Sequence, residues 1–179
     1  MRKSKDSYRG NYLGTFSNKI VAEFTPPKTW MLEDELAFET NELKDEDIKV
    51  LQDIGANIVD TGRDTGRVTC RPGMKTDLAS VPRICWVVIS PWDVARAAVI
   101  HDHLYERLRE FYNLGDEPTR KVAWKKARKL SDKIFLLGMK SADPKIPSWK
   151  IYPAYWSVRL FGRWPASAKR QVKYLSGDK

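Results

Sequence analysis

The chain has two histidines, His101 and His103, and both lie in one apolar stretch, residues 97–105. In a helix, an i, i+4 spacing places His101 and Tyr105 on one face, one turn apart, with Asp102 on the flank. A histidine beside carboxylates can serve as a general base, or it can be a hydrogen-bonded residue of the core. These residue types therefore predict either a hydrolytic site or a buried polar cluster. His103 points away from His101 and is predicted at the surface.

A second polar group comes before this helix, in the run Thr-Asp-Leu-Ala-Ser-Val-Pro-Arg at 76–83. The side-chain oxygens of Asp77 and Ser80 suit a turn or helix cap, where they accept hydrogen bonds from unpaired amides. In the same interpretation, Arg83 would pair with Asp102, and the Tyr105 hydroxyl would bond the neighbouring imidazole, so that each buried polar group has a partner. This interpretation makes Asp77, Ser80 and Arg83 a structural polar cluster.

The elements that must position these residues divide the chain in two. In the first half, short apolar runs between turn residues predict strands, and a short helix at 46–54 closes on Gly55. Ser90 and Pro91 predict the start of a long helix that runs to about Phe111. The other predicted elements are strands at 20–24, 30–38, 56–60 and 67–70, and helices from 116–118 to 137–138 and over 149–161. We therefore expect an α+β fold, in which a small antiparallel β half packs on two or three α-helices.

Length and charge predict the domain organisation. A chain of 179 residues is long enough for one domain with a sizeable core. We expect a basic N-terminal arm over residues 1–19, a single α+β domain over 20–165 and a basic C-terminal tail over 166–179. The excess of 32 Lys and Arg over 23 Asp and Glu gives a net charge of +9, which favours anionic partners.

Composition also excludes several classes of protein. Cys70 and Cys85 are too few for a disulfide framework or a zinc cluster, which favours a reducing compartment. No apolar run reaches the roughly 20 residues that a membrane span needs. The amino terminus has no apolar segment typical of a secretion signal. We expect synthesis and folding in the cytoplasm, and Trp86, Trp92 and Trp124 as packing residues rather than a ligand cage.

Aromatic and cationic residues alternate in the C-terminal region, residues 149–174. This mixture suits a lipid interface, a single-stranded nucleic acid or an acidic protein surface. The candidate partner-binding residues are Trp149, Tyr155, Trp156, Arg163, Trp164, Lys169 and Arg170.

Four segments follow one another as they do in a family of phage and prophage proteins. They are residues 68–82, the His-Asp-x-x-Tyr segment at 97–105, Ser-Asp-x-x-Phe at 131–135, and Val-Arg-Leu-Phe-Gly at 158–162. Together they resemble the family catalogued as domain of unknown function 1353, over roughly residues 21–164. Ser131 stands where that family usually has Ala. The resemblance implies an origin in a tailed phage, and it implies that Val158 and Phe161 belong to the core.

The His-Asp-x-x-Tyr helix and the following Asp helix also resemble calcium-dependent phospholipases of the A-two class, most closely the short version on parvovirus capsids. This resemblance implies that His101 is the general base, that Asp102 holds Ca²⁺, and that Tyr105 and Asp132 fix the imidazole tautomer. The chain lacks the Gly-rich calcium loop of those enzymes, so Asp77 would have to supply a further oxygen. The sequence pattern also places Asp132 on the flank of the apolar stripe of its helix.

Another class with a His-Asp doublet, the metal-dependent phosphohydrolases, needs a further upstream histidine, and none precedes His101. We therefore expect a virion component of the tail, baseplate or neck that docks to neighbouring phage structural proteins through its charged, aromatic termini. It would be made in the host cytoplasm and then joined to the virion. The basic C-terminal segment would also allow membrane or nucleic-acid contact.

One alternative is a calcium-dependent lipid hydrolase, or another envelope-acting hydrolase, centred on His101 and Asp102. A second alternative is a non-virion phage protein that acts on host factors. A structural role requires His101 and Asp102 to be buried and fully paired, whereas catalysis requires a cleft that reaches them.

Overall fold

A computed structural model of the chain describes residues 13–26, 29–62, 65–76, 91–115 and 117–167, without the side chains of residues 91–93. Strands form in the first half and helices mainly in the second, so the predicted α+β class is confirmed. The strands are Thr15–Phe16 (β1), Ala22–Thr25 (β2), Thr29–Leu32 (β3), Leu36–Thr40 (β4), Ile58–Asp60 (β5), Gly66–Cys70 (β6) and Lys75–Thr76 (β7). The helices are Asp45–Asp53 (α1), Pro91–Asn113 (α2), Pro118–Lys140 (α3), Ser148–Phe161 (α4) and Arg163–Ser167 (α5).

The strands form two small antiparallel sheets. One has the order β1-β4-β6-β5 and the other has the order β2-β3-β7. The predicted strand at 30–38 is wrong, because β3 and β4 are separate strands in different sheets. Residues 33–35 are all acidic and exposed, and a run of charged residues cannot continue the alternation that buries one face of a strand.

The first strand lies within the residues that the sequence assigned to the N-terminal arm. Thr15 and Phe16 pair with Glu39 and Phe38 of β4. The rings of Phe16 and Phe38 also pack with their centroids 4.8 Å apart. Residues 15 and 16 are therefore part of the four-stranded sheet.

Local signals explain the helices. Three acidic residues in the first turn of α1 face the positive end of its dipole. Gly55 follows that helix with a φ of +80°, the left-handed conformation that glycine adopts without strain. Pro118 occupies the first turn of α3, where its missing N–H costs no hydrogen bond. Across the described residues, no helix has both the length and the apolarity needed to cross a bilayer.

The two 23-residue helices, α2 and α3, are joined by a short connection and pack closely along their length. The two helices approach closely at Gly138, where an added Cβ would lie 3.0 Å from the Cβ of Ala97. Two apolar clusters surround this pair. One includes Phe38, Val68 and Ile100, between the larger sheet and the helices, and the other lies between α2, α3 and α4.

The residues predicted to pack in the core have different outcomes. Trp124 is buried and packs against Tyr112 with ring centroids 5.4 Å apart, as a packing residue should. Trp86 lies outside the described residues, and the side chain of Trp92 is not described. Val158 is buried as expected, but the core assignment of Phe161 is wrong: it ends α4 with 49% of its surface exposed and packs on Trp164.

Candidate active site

Asp132 of α3 is the centre of a polar cluster inside the helical layer. Its side chain is 0% exposed, so the prediction of a position on the flank of the apolar stripe is wrong. His101 Nε2 lies 3.1 Å from Asp132 Oδ1, and the Tyr105 hydroxyl donates to the same oxygen at 2.7 Å. Arg159 Nη1 donates to Asp132 Oδ2. We call His101, Tyr105, Asp132 and Arg159 the buried polar cluster.

Three helices supply this cluster. The i, i+4 spacing on α2 presents His101 and Tyr105 one turn apart, and their rings pack with centroids 4.0 Å apart. The imidazole of His101 also has an apolar neighbour: the centroid of the Phe135 ring of α3 lies 4.8 Å from its own. Arg159 reaches the carboxylate from α4. The Tyr105 hydroxyl therefore bonds Asp132, not His101 as one interpretation of the sequence predicted.

The chain makes room for the Tyr105 hydroxyl with a glycine. Gly162, between α4 and α5, is buried. A Cβ added there would lie 2.4 Å from the Tyr105 hydroxyl oxygen and 2.4 Å from the carbonyl oxygen of Val158. Neither distance is compatible with a side chain, so the absence of one at position 162 lets Tyr105 reach Asp132.

The charge on Asp132 is stabilised by its donors. Burial by itself raises the pKa of this carboxyl, but the hydrogen bond and the charge interaction with His101, together with hydrogen bonds from Tyr105 and Arg159, outweigh burial and hold the pKa below its usual value. Burial and the Asp132 charge together raise the pKa of Tyr105, which keeps its hydroxyl protonated as a donor. Asp132 is thus an ionised acceptor held by three groups.

An ionised carboxylate only accepts hydrogen bonds, so the imidazole proton of His101 lies on Nε2. In the uncharged form of the ring, Nδ1 carries the lone pair. Among the residues that the structure describes, no group hydrogen-bonds this buried Nδ1 atom. His101 itself is only 2% exposed. The arrangement can fix the imidazole tautomer that has its proton on Nε2, and it leaves Nδ1 without a hydrogen-bond partner among the described residues.

Asp102 lies next to this cluster and has a different partner. Thr76 of β7 donates its hydroxyl proton to Asp102 Oδ2. The predicted partner Arg83, together with Asp77 and Ser80, lies outside the described residues. Asp102 is partly exposed, unlike its neighbour His101.

The described residues do not form a calcium site around Asp102. Calcium takes six to eight oxygen ligands, several of them usually carboxylates. Within the described ranges, no group of three His, Cys, Asp or Glu side chains is placed to share a metal ion. The calcium ion that the phospholipase resemblance implies is therefore not part of the proposed mechanism.

His103 is not the surface residue that the sequence predicted. Its Nε2 accepts a hydrogen bond from the backbone N–H of Asn57 at 3.2 Å, and the side chain is only partly exposed. Burial lowers its pKa from 6.5 to about 4, helped by the positive charge of Arg107. Glu106 acts in the opposite direction and Arg71 in the same one. This histidine is a neutral acceptor that ties α2 to the strand region.

Cys70 offers no nucleophile. The thiol is buried on β6, and its sulfur lies 3.8 Å from the Val99 carbonyl oxygen. Burial raises the pKa of this thiol well above its ordinary value, so it stays protonated.

The candidate partner-binding residues lie mostly on the surface of α4 and α5. Trp149 and Trp164 are 65% and 73% exposed, and Trp156 and Arg163 are also exposed. Tyr155 is half-buried with its ring against that of Trp156, while Lys169 and Arg170 lie outside the described residues. Exposed Trp149, Tyr152, Trp156 and Leu160 share one side of the helix by their spacing, and we call these four residues the α4 stripe.

The sequence pattern did not predict Arg159, Arg128 or Thr76 as partners of Asp132 and Asp102. Arg159 belongs to the Val-Arg-Leu-Phe-Gly segment and to the basic C-terminal region, and its place within the apolar run at 158–161 was a usable signal of a buried partner. Arg128 donates to the Arg159 carbonyl oxygen and has its Nε 3.9 Å from Asp132 Oδ2, one turn before it on α3. Thr76 belongs to a strand too short to be predicted.

Comparison with known proteins gives a family and no activity. Neither a curated protein nor a solved structure matches the chain. A family described as "Protein of unknown function (DUF1353)" matches residues 54–158, more than half of the chain. That range contains His101, Tyr105, Asp132 and all of α2 and α3. The chain therefore belongs to the DUF1353 family.

Proposed function

We propose that this protein is an envelope-acting hydrolase of a tailed phage, with His101 as its general base. The proposal is supported by how the two nitrogens of the His101 imidazole are hydrogen-bonded. Ionised Asp132 holds Nε2–H, and within the described residues nothing bonds Nδ1. In a purely structural buried histidine, both ring nitrogens would be expected to have partners. Burial of His101 meets one requirement of a structural role, whereas the unbonded Nδ1 is the feature that favours catalysis.

The chemistry follows from that nitrogen. Nδ1 of His101 takes a proton from water, and the water oxygen attacks the carbonyl carbon of an ester. The bond to the alcohol oxygen then breaks, and that oxygen receives the proton from Nδ1. While the imidazole is positively charged, the Asp132 carboxylate stabilises it. Tyr105 and Arg159 act as positioning residues, because they hold the carboxylate in place.

A lipid ester is the substrate that the available features favour. The resemblance of the His-Asp-x-x-Tyr helix to phospholipases indicates this class. Exposed tryptophans beside lysines and arginines, as on α4 and α5, are typical of proteins that contact a lipid interface. The net charge of +9 would strengthen binding to anionic lipids.

The test is release of fatty acid from vesicles of phosphatidylglycerol and phosphatidylethanolamine by the purified protein, with added calcium and with a chelator. We expect His101→Gln to lower the rate by at least about 100-fold, the usual contribution of a general base. His103→Gln is the matched control, since it changes the other histidine of α2 and should leave the rate within about twofold of wild type, as expected for a group with no part in the reaction.

Two results would contradict the proposal. One is a folded wild-type protein that releases no fatty acid under either calcium condition. The other is a His101→Gln variant as active as wild type. A rate that depends on calcium would show that residues beyond the described ranges complete a metal site.

A second candidate function has its own observation. The α4 stripe leaves large apolar side chains in solvent, and aromatic residues are enriched at protein interfaces. We propose that this surface docks the protein to neighbouring subunits in the tail, baseplate or neck of the virion. The variant Trp149→Ser/Trp156→Ser should then be lost from purified phage particles while folding normally. A wild-type protein absent from particles would instead favour the non-virion alternative, a protein that acts on host factors.

A further inference from the structure

A cavity of about 710 Å³ is lined by residues of β1, β2 and β3, by residues near the start of α2 and the end of α3, and by the segment that leads into α4. It reaches α2 at Ala97, one turn before His101, and His101 does not line it. Its volume falls within the range of small-molecule sites. The hydrolysis proposed for His101 does not use this space.

Most of the wall of this cavity is apolar. Phe16, Ile20, Trp30, Met139 and Ile146 contribute to it. Four of them, all except buried Met139, are only half-buried, so part of their apolar surface is accessible. A hydrocarbon chain placed against them would gain the free energy of leaving water.

The charge around the cavity has one dominant sign. Lys19, Arg96, Lys145 and Lys150 line it, and Asp143 is the acidic residue among the lining side chains. Arg96 is held in place, because its guanidinium lies 5.0 Å from the centre of the Phe16 ring and donates to the Asp143 carbonyl oxygen at 2.7 Å. A fixed guanidinium beside an apolar wall suits a carboxylate or phosphate group attached to a hydrocarbon chain.

We propose that this basic cavity binds an anionic amphiphile, a single acyl chain that ends in a carboxylate or a phosphate. The inference rests on the cavity and on its charges, and it holds whether or not His101 is a general base. If both proposals hold, the cavity would receive either a lipid hydrolysis product or a single-chain phospholipid.

The test is calorimetric titration of the full-length protein with four probes below their micellar concentrations. We expect saturable binding of decanoate and of decyl phosphate, which stand for a fatty acid and a phospholipid. Decyltrimethylammonium, with the same chain and the opposite charge, should bind about tenfold more weakly or worse. Butyrate, which keeps the head group and lacks most of the chain, should also bind at least about tenfold more weakly.

Substitutions in the lining test whether the probes bind in this cavity. Lys19→Gln/Lys145→Gln changes two exposed cations of the lining and should weaken decanoate binding by about tenfold. Ala142→Trp should abolish binding by filling the space. Lys125→Gln, an exposed cation of α3 outside the cavity, is the matched control and should bind like wild type. The thermal midpoint of each variant shows that it is folded.

The His101→Gln variant is titrated as well, so that loss of hydrolysis and loss of binding are separate results. Equal binding of decanoate and decyltrimethylammonium would overturn the proposal, as would binding unaffected by Ala142→Trp. Absence of binding to the wild-type protein would overturn it too, including the case in which another part of the chain fills the cavity.

Discussion

His101 and His103 lie two residues apart on α2, in environments that favour different chemistry. His101 faces α3 and bonds an ionised carboxylate, while His103 faces the strand region and accepts a hydrogen bond from a backbone amide. In the first case a negative partner fixes the proton on Nε2. In the second case burial and a nearby arginine keep the ring neutral. The partner that each helix face supplies, rather than burial alone, therefore decides what chemistry a histidine can perform.

The largest expected effect on the free energy of unfolding comes from removing the negative charge of Asp132, which bonds His101, whereas His103 bonds a backbone amide. Asp132→Asn leaves Arg159 without its carboxylate and puts an amide where His101 and Tyr105 both donate. Breaking one partner of a buried ion pair should lower the free energy of unfolding by about 3 kcal/mol. Urea unfolding at pH 7 measures this loss.

Asp53→Asn is the matched control for that experiment, since Asp53 is an exposed residue at the end of α1. Its unfolding free energy should stay within about 0.5 kcal/mol of wild type, as for most surface substitutions. If Asp132→Asn were as stable as the control, the buried polar cluster would contribute nothing to folding.

The next effect concerns the His103 face and depends on pH. Folded His103 stays neutral down to about pH 4, whereas an unfolded histidine takes up a proton near its ordinary pKa of 6.5. The unfolded state therefore binds more protons between these values. Stabilisation by the neutral ring is fully present above pH 6.5 and decreases as the pH falls towards 4.

We expect the wild-type protein to lose between about 2 and 3 kcal/mol of unfolding free energy through this histidine as the pH falls from 7 to 4. In His103→Gln, which cannot titrate, the loss over the same window should be smaller by that amount. Urea unfolding at several pH values gives both curves. Parallel curves for the two proteins would show that His103 has the same pKa folded and unfolded.

The smallest of the three effects concerns the hydrogen bond from Tyr105 that holds Asp132, the partner of His101. Tyr105→Phe removes one donor to Asp132 Oδ1 and leaves the His101 bond in place. The loss of one hydrogen bond to a charged group should cost about 1.5 kcal/mol. If Tyr105 positions the carboxylate for catalysis, the rate of ester hydrolysis should fall while the KM stays near that of wild type. An unchanged rate would restrict Tyr105 to a structural role.

Features set by neighbouring residues in the sequence were predictable. Gly55 as the end of α1, the start of α2 at Pro91 and Pro118 in the first turn of α3 all follow from local chemistry. The pairing of His101 and Tyr105 on one helix face was also accessible, because it depends only on helical spacing. Asp132 as their partner came from a resemblance to known enzymes, not from any pattern in this chain.

Other features depend on contacts between distant segments and could not be predicted. The hydrogen bond between Asn57 and His103 joins residues 46 positions apart. The partnership of Arg159 with Asp132 requires α4 to lie against α3, which no spacing indicates. Likewise, the division of residues 30–38 between two sheets becomes clear only when Thr76 and Lys75 are seen paired with β3.

Gly162 has a consequence for how this sequence can change over generations. Because the Tyr105 hydroxyl occupies the space that a side chain at 162 would need, the two positions cannot vary independently. A lineage that acquires alanine at 162 must displace the phenol at 105, and with it one donor to Asp132, and must also shift the Val158 carbonyl. Homologues that keep a tyrosine at the first position should therefore keep glycine at the second. The two residues act as one inherited unit, 57 positions apart in the chain and in contact in space.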